Sequence, residues 1–143
     1  MSCQHTVRRQ RGMTLIELMI VVVIAAVLAS IAVPSYRSYV LRTHRVEAKT
    51  ALLNLAAAQE RFYLENNTYA ANAALSTAPP AGLGLPSTTE NGWYTVAIAN
   101  GANAATFTAT ATATGTQAAD TDCASFSITA LGVKTATSAK CWD

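Results

Sequence analysis

The stretch Arg11-Gly12-Met13-Thr14-Leu15-Ile16-Glu17-Leu18, with the apolar run that continues to Val33, decides the fold. A basic segment carrying Arg8, Arg9 and Arg11 ends in glycine, and the apolar segment starts at Met13 directly after it. From Leu18 to Val33 no residue is charged, and the one polar side chain is Ser30, whose hydroxyl can bond back to its own helix. A helix of about 20 apolar residues crosses the roughly 30 Å hydrocarbon core of a bilayer. The arginines upstream, with no acid among them, predict a cytoplasmic N-terminus and the rest of the chain across the membrane. Glu17 stands out, because an ionisable group in a membrane helix is costly and points to function.

Glu17 has two readings. It snorkels to the headgroups or stays protonated, or it meets a cation. A cut after Gly12 would create an α-amino group on Met13, four residues before Glu17. Helical residues four apart share a face. The partner is then the chain's own amine or the Met13 amine of a neighbouring chain.

Gly12-Met13-Thr14-Leu15-Ile16-Glu17 resembles the processing site of type IV prepilins. The resemblance implies that a membrane prepilin peptidase cuts the Gly12–Met13 bond and N-methylates Met13, and that Glu17 is needed for assembly. Phenylalanine is usual in the family where this chain has Met13, and the leader of residues 1–12 is longer than in many members. The rival reading is a secretory signal peptide cut at Ser30-Ile31-Ala32, with Glu17 inside its apolar core. The mature chain starts at Met13 in the first case and at Val33 in the second.

The length suits one domain besides the membrane segment. The chain has ten Lys and Arg and eight Asp and Glu. Removing the three leader arginines leaves seven against eight, or −1, which argues against a broad nucleic-acid surface. Of three cysteines, Cys3 lies in the leader, leaving Cys123 and Cys141 in a chain bound for an oxidising compartment. They are expected to pair; the alternative is two free thiols. His5 and His44 stand far from both, so no zinc site forms.

Pro34 follows the apolar run and is expected to kink the helix rather than end it. Ala48, Leu52, Leu55, Gln59 and Phe62 recur at steps of three and four, while Arg45, Lys49 and Glu60 fall on other faces. The helix therefore continues to about 66, with Asn66-Asn67-Thr68 as its stop. Arg37, Arg42, Arg45 and Lys49 form a basic cluster beyond the membrane, either solvated or pairing with acids of a neighbouring subunit. Residues 69–93 read as an irregular connection broken by Pro79-Pro80, Gly82, Gly84 and Pro86. Strands follow over Tyr94 to Ala99, Thr106 to Thr114 and Ala124 to Leu131, with a short fourth over Val133 to Ala136. Phe107 and the alanines that follow it should face inward, as should Phe126 and Ile128. The expected fold is α+β. A long N-terminal helix packs its C-terminal half on a small antiparallel sheet over 94–136, and the disulfide region 123–141 ties down the tail.

Gln59 to Tyr69, and Asp122-Cys123 through Gly132-Val133-Lys134 to Cys141-Trp142, are similar to PilE-like minor pilins. The resemblance covers both ends of the chain and implies three segments: leader 1–12, membrane and assembly helix 13–33, and a globular domain 34–143. It implies a structural subunit of a pilus fibre serving biogenesis, adhesion or twitching motility. The subunit would be held in the inner membrane and then polymerised with other pilin subunits by the assembly machinery. The alternatives are a type II secretion pseudopilin and a DNA-uptake receptor pilin, with nucleic acid disfavoured by the few basic residues. No catalytic constellation and no cofactor motif appears. Asp120 and Asp122 are two candidate calcium ligands, which is too few for a site. Tyr63, Tyr69, Trp93 and Tyr94 read as packing residues.

Overall fold

The computed structural model describes residues 12–143. Arg8, Arg9, Arg11, Cys3 and His5 of the leader lie outside the described residues. Helix α1 runs Leu15–Asn66, and the chain forms two units divided after Arg37.

In the first unit α1 is apolar all round. Leu15, Ile20, Val27 and Ile31 are each more than half exposed. By length and composition this helix can cross a membrane. Ser30 donates its hydroxyl to the Val27 carbonyl at 2.7 Å, so the one polar side chain between Leu18 and Val33 is satisfied within the helix. Pro34 lies inside α1.

In the second unit the helix turns one-faced. Ala48, Leu52, Leu55, Ala58 and Gln59 are buried. The helix stops where Asn67 takes φ +55°, the left-handed conformation that asparagine tolerates, with its N–H on the Tyr63 carbonyl at 2.7 Å.

The sheet holds four antiparallel strands in chain order: β1 Tyr94–Asn100, β2 Phe107–Ala113, β3 Ser125–Thr129 and β4 Lys134–Ala136. Its buried face follows the period of two. Val96, Ala111 and Phe126 make one row across the strands, and Ile98, Ala109 and Ile128 the next. The second strand thus puts small alanines between large neighbours. One apolar cluster joins this face to Ala48, Leu52 and Leu55 of α1. The strands are slightly shorter than the alternation suggests at Thr106 and Thr114. The Thr106 carbonyl accepts from Gly101 and the Thr114 N–H donates to Trp93, so both residues close loops.

The outer edge of β1 is occupied. Val96 donates to the Ser87 carbonyl, Ile98 to Asn72 Oδ1, and the Tyr94 carbonyl accepts from Thr89. An edge so covered offers no template for another strand. The connection before it is folded, with Leu75 and Leu83 buried and a cis bond between Pro79 and Pro80. A Cβ on Gly82 would collide with the carbonyls of Ala74 and Thr77, so only glycine fits there.

Cys123 and Cys141 form a disulfide with Cα atoms 5.7 Å apart. Closing a loop of 18 residues stabilises by about 3 kcal/mol in the chain-entropy model. Cys141→Ser should lower the unfolding free energy of the detergent-solubilised protein by about that amount. Denaturant unfolding with and without reductant checks this, and reductant should leave the variant unchanged.

Candidate functional site

The N-terminal segment is built by its first turn. Thr14 precedes the helix and its Oγ1 accepts the Glu17 N–H at 3.3 Å, while its carbonyl accepts the Leu18 N–H at 3.1 Å. Thr14-x-x-Glu17 is the sequence form of a capping box, a signal present in the chain that periodicity alone passes over. Glu17 therefore stands in the first helical turn, where unpaired N–H groups favour a carboxylate. Met13 lies before the cap. The face-sharing of helical residues four apart does not extend to it, so the same-chain version of the Met13–Glu17 pairing loses its geometric basis. Gly12, Met13 and Glu17 are all exposed.

The second site lies on the globular unit, where α1 meets residues 115–123. Gly115, at φ +55°, opens a 3₁₀ run that carries Gln117 into the interior at 0% exposure. Its amide nitrogen donates to the Leu41 carbonyl at 3.1 Å, the Tyr94 hydroxyl at 3.0 Å and Asp120 Oδ2 at 3.3 Å. Two of these are pure acceptors, which fixes the amide orientation. Gln117 Oε1 must then accept from His44 Nδ1 at 2.9 Å, which places a proton on Nδ1. The His44 ring stacks on Trp93 with centroids 4.2 Å apart.

Arg45 grips Asp120 with both prongs, Nε to Oδ2 at 2.7 Å and Nη2 to Oδ1 at 2.8 Å. That hydrogen bonding holds the guanidinium above its ordinary pKa, against the opposing effect of its partial burial. This corrects the reading of Arg45. Arg45 does not stand on a solvated face or await a neighbour's acid, because its own chain supplies the acid. The Asp120 carboxylate is neutralised by Arg45. Among the described residues no group of three His, Cys, Asp or Glu gathers around a common point. Tyr94 is fully buried, and that burial raises its phenol above 10.0, against the lowering effect of the Gln117 hydrogen bond.

Beside this cluster an open groove of about 690 Å³ brings together Arg42, Arg45, Lys49 and Lys140 around the disulfide, with Asp122 and Asp143. Lys49 donates to the Asp143 carbonyl at 2.7 Å, tying the tail to α1. Trp142 donates to the Thr135 carbonyl, meets Phe126 edge-on, and lies 5.3 Å beneath the Lys134 ammonium. The fold brings Lys140 of the tail beside Arg42, Arg45 and Lys49 of α1. Tyr63, Tyr69 and Phe107 form a separate aromatic chain at 4.6 and 4.9 Å, as packing residues do.

A family model described as "Type IV minor pilin ComP, DNA uptake sequence receptor" matches residues 34–141. A second, the prokaryotic N-terminal methylation motif, matches residues 7–33. The type IV major pilin PilA of Myxococcus xanthus is 49% identical over 61 residues, 43% of this chain and 28% of that protein. The major pilin PilE1 of Neisseria gonorrhoeae is 36% identical over 94 residues, 64% of this chain and 41% of its own. The chain thus spans less than half the length of either relative. A type IV pilin structure from Shewanella oneidensis superposes with TM-score 0.53 at 24% identity, covering 72% of this chain and 98% of that one. At that identity it speaks for the fold alone.

Arg45→Ala should cost about 3 kcal/mol, because it leaves the buried Asp120 uncompensated. Above pH about 10 stability should fall, since the unfolded chain releases a tyrosine proton that buried Tyr94 retains. Its contribution is complete below the unfolded pKa and fades as pH rises through the higher folded one. Tyr94→Phe should flatten that alkaline loss. Denaturant midpoints at pH 7 and across pH 9–11 check both.

Proposed function

The chain belongs to the type IV pilin family, structural proteins rather than enzymes, and on that premise we propose a minor pilin cut at Gly12–Met13, methylated on Met13 and assembled through Glu17. The observation that carries this reading is the adjacency of the two matches: the methylation motif ends at Val33 and the pilin domain begins at Pro34, and this junction lies within α1. The prepilin motif implies a processing peptidase and pilus assembly as partners. In the proposed sequence of events residues 13–33 first anchor the chain in the inner membrane, N-terminus inward. The same apolar surface then leaves lipid for a bundle of like helices, so its hydrophobic requirement is met in two settings. Glu17 would meet the Met13 amine of a neighbouring chain, because Met13 of its own chain lies outside the helix. That charge pairing favours one axial stagger over others.

Glu17→Ala should remain membrane-bound, with a mature N-terminus at Met13, yet be at least tenfold depleted from sheared fibres. N-terminal sequencing and immunoblotting of the fibre fraction read both. Normal incorporation would sink the pairing.

A second reading, as a DNA-uptake receptor, is favoured by the description of the matching family and by the groove that gathers Arg42, Lys49 and Lys140. Three phosphate contacts predict a drop in DNA affinity of roughly 40-fold between 50 and 200 mM salt, and Lys140→Ala should lower the salt slope by about one. Fluorescence anisotropy with the detergent-solubilised protein measures this. Binding that ignores salt, or none, ends the DNA reading and leaves the pilin reading untouched.

A further inference from the structure

The globular unit carries an open groove of about 700 Å³ between α1 and the chain that leads into β1, a size common among small-molecule sites. One wall is α1 from Thr43 to Leu55; the other is the segment from Leu85 to Trp93, with Val96 of β1. The second wall is tied down by its own backbone. Leu85 donates to the Leu75 carbonyl at 2.9 Å, Thr89 to the Tyr94 carbonyl at 2.9 Å and Gly92 to the Thr89 carbonyl at 2.9 Å. The Tyr94 N–H donates in turn to Thr89 Oγ1 at 3.1 Å. The groove is thus shaped in advance, which spares a ligand the cost of ordering it.

Its lining combines three chemistries. Leu55 and Val96, both buried in the core, supply apolar surface. Trp93 is half-buried, and the His44 ring lies against its indole with the planes 10° apart, which fixes its orientation. Glu47 and Glu90 are the two acids. Among the described residues no lysine or arginine lines the groove, and no ion pair engages either acid. The Glu47 carboxylate accepts the Asn91 N–H from the opposite wall at 2.7 Å, so one of the two charges is held in place.

We propose that this groove binds a free quaternary ammonium compound of the trimethylammonium type. Its methyl groups meet Leu55 and Val96, the Trp93 indole attracts the cation through its ring quadrupole, and Glu47 and Glu90 supply the opposite charge. A primary ammonium suits the groove less well. It is compact and strongly hydrated, with three donors to satisfy, whereas a quaternary one spreads its charge over methyl groups that shed water onto apolar surface. An ammonium joined to a phosphate, as in a lipid headgroup, brings an anion up to two carboxylates, so the acids select the free cation. The proposal goes beyond the pilin reading and does not depend on assembly into a fibre.

The test uses the full chain in uncharged detergent with Trp142→Phe, which leaves Trp93 as the one tryptophan. Choline chloride is titrated at constant ionic strength. Trp93 emission and saturation-transfer NMR from the protein to the choline methyls are both read. The expected result is saturable binding roughly tenfold tighter than that of dimethylbutanol, the uncharged isostere with carbon in place of nitrogen. Glu47→Gln keeps an acceptor for the Asn91 N–H and removes the charge. It and Glu90→Gln should each weaken choline about threefold and leave the isostere unchanged. Phosphocholine should bind more weakly than choline. Equal binding of choline and its isostere overturns the proposal, as does the absence of saturable binding in both readouts. Phosphocholine binding more tightly than choline overturns it too, and so does N-acetylglucosamine binding in place of choline, which assigns the groove to a sugar. Should Glu47→Gln fail to fold, the exposed Glu90→Gln decides, and an undiminished preference for choline over the isostere in that variant overturns the role of the acids.

Discussion

A polar side chain taken fully out of water must find partners for all its hydrogen-bonding groups, and two glutamines impose that condition here. Gln59 and Gln117 are both 0% exposed. An unpaired amide at either site would cost about 1–3 kcal/mol. Gln59 meets the condition with one residue, donating to the Ala70 carbonyl at 2.9 Å and accepting the Ala70 N–H at 2.8 Å. The amide thus imitates a strand neighbour and fixes the chain just after it leaves α1. Gln117 meets it with four partners and fixes the segment before the disulfide. The segment around Gln117 is rich in alanine, threonine and glycine and has little apolar surface to hold it. Its course follows from what the amide requires.

The parts legible in the sequence are those with a period. The stripe through Ala48, Leu52, Leu55 and Gln59 predicts the buried face of α1, and it is the buried face. The alternation of β2 predicts Phe107, Ala109 and Ala111 inward, as found. The parts that escaped reading have no period and a long separation. His44, Arg45 and Leu41 meet Gln117 and Asp120 across 73 to 76 residues, through a loop whose path no local rule dictates. Nothing in the spacing of Arg45 and Asp120 marks them as a pair. Thr14 is a different case. Its cap with Glu17 is a local pattern at the second residue of the apolar segment, one that hydropathy does not register.

That first turn changes how Glu17 is understood. A carboxylate at mid-helix in lipid has nothing to offset it, whereas one in the first turn faces the partial positive charge of the helix end. In the proposed mature chain the cut adds a full positive charge to that same end. The helix terminus then carries an amine and exposed N–H groups, and Glu17 is the one carboxylate on α1 before Glu47 to answer them. In a bundle, where each terminus lies against other helices and water is scarce, leaving such a terminus uncompensated would be far costlier than in water. Glu17 therefore belongs to the electrostatics of helix ends.

The basic groove shows how folding alters a tally of charges. By segment, the basic residues past the membrane are few and scattered. The Cys123–Cys141 bridge and the Lys49–Asp143 bond bring the tail against α1, and Lys140 joins Arg42 and Lys49. The same fold limits the result. Arg45 is already neutralised by Asp120, and Asp122 and Asp143 stand in the groove, so three remaining cations face two acids. Under the DNA-uptake reading such a surface would meet a few phosphates, with affinity that falls as salt rises. The bridge closes the globular unit and, together with the Lys49–Asp143 bond, holds Lys140 beside Arg42 and Lys49.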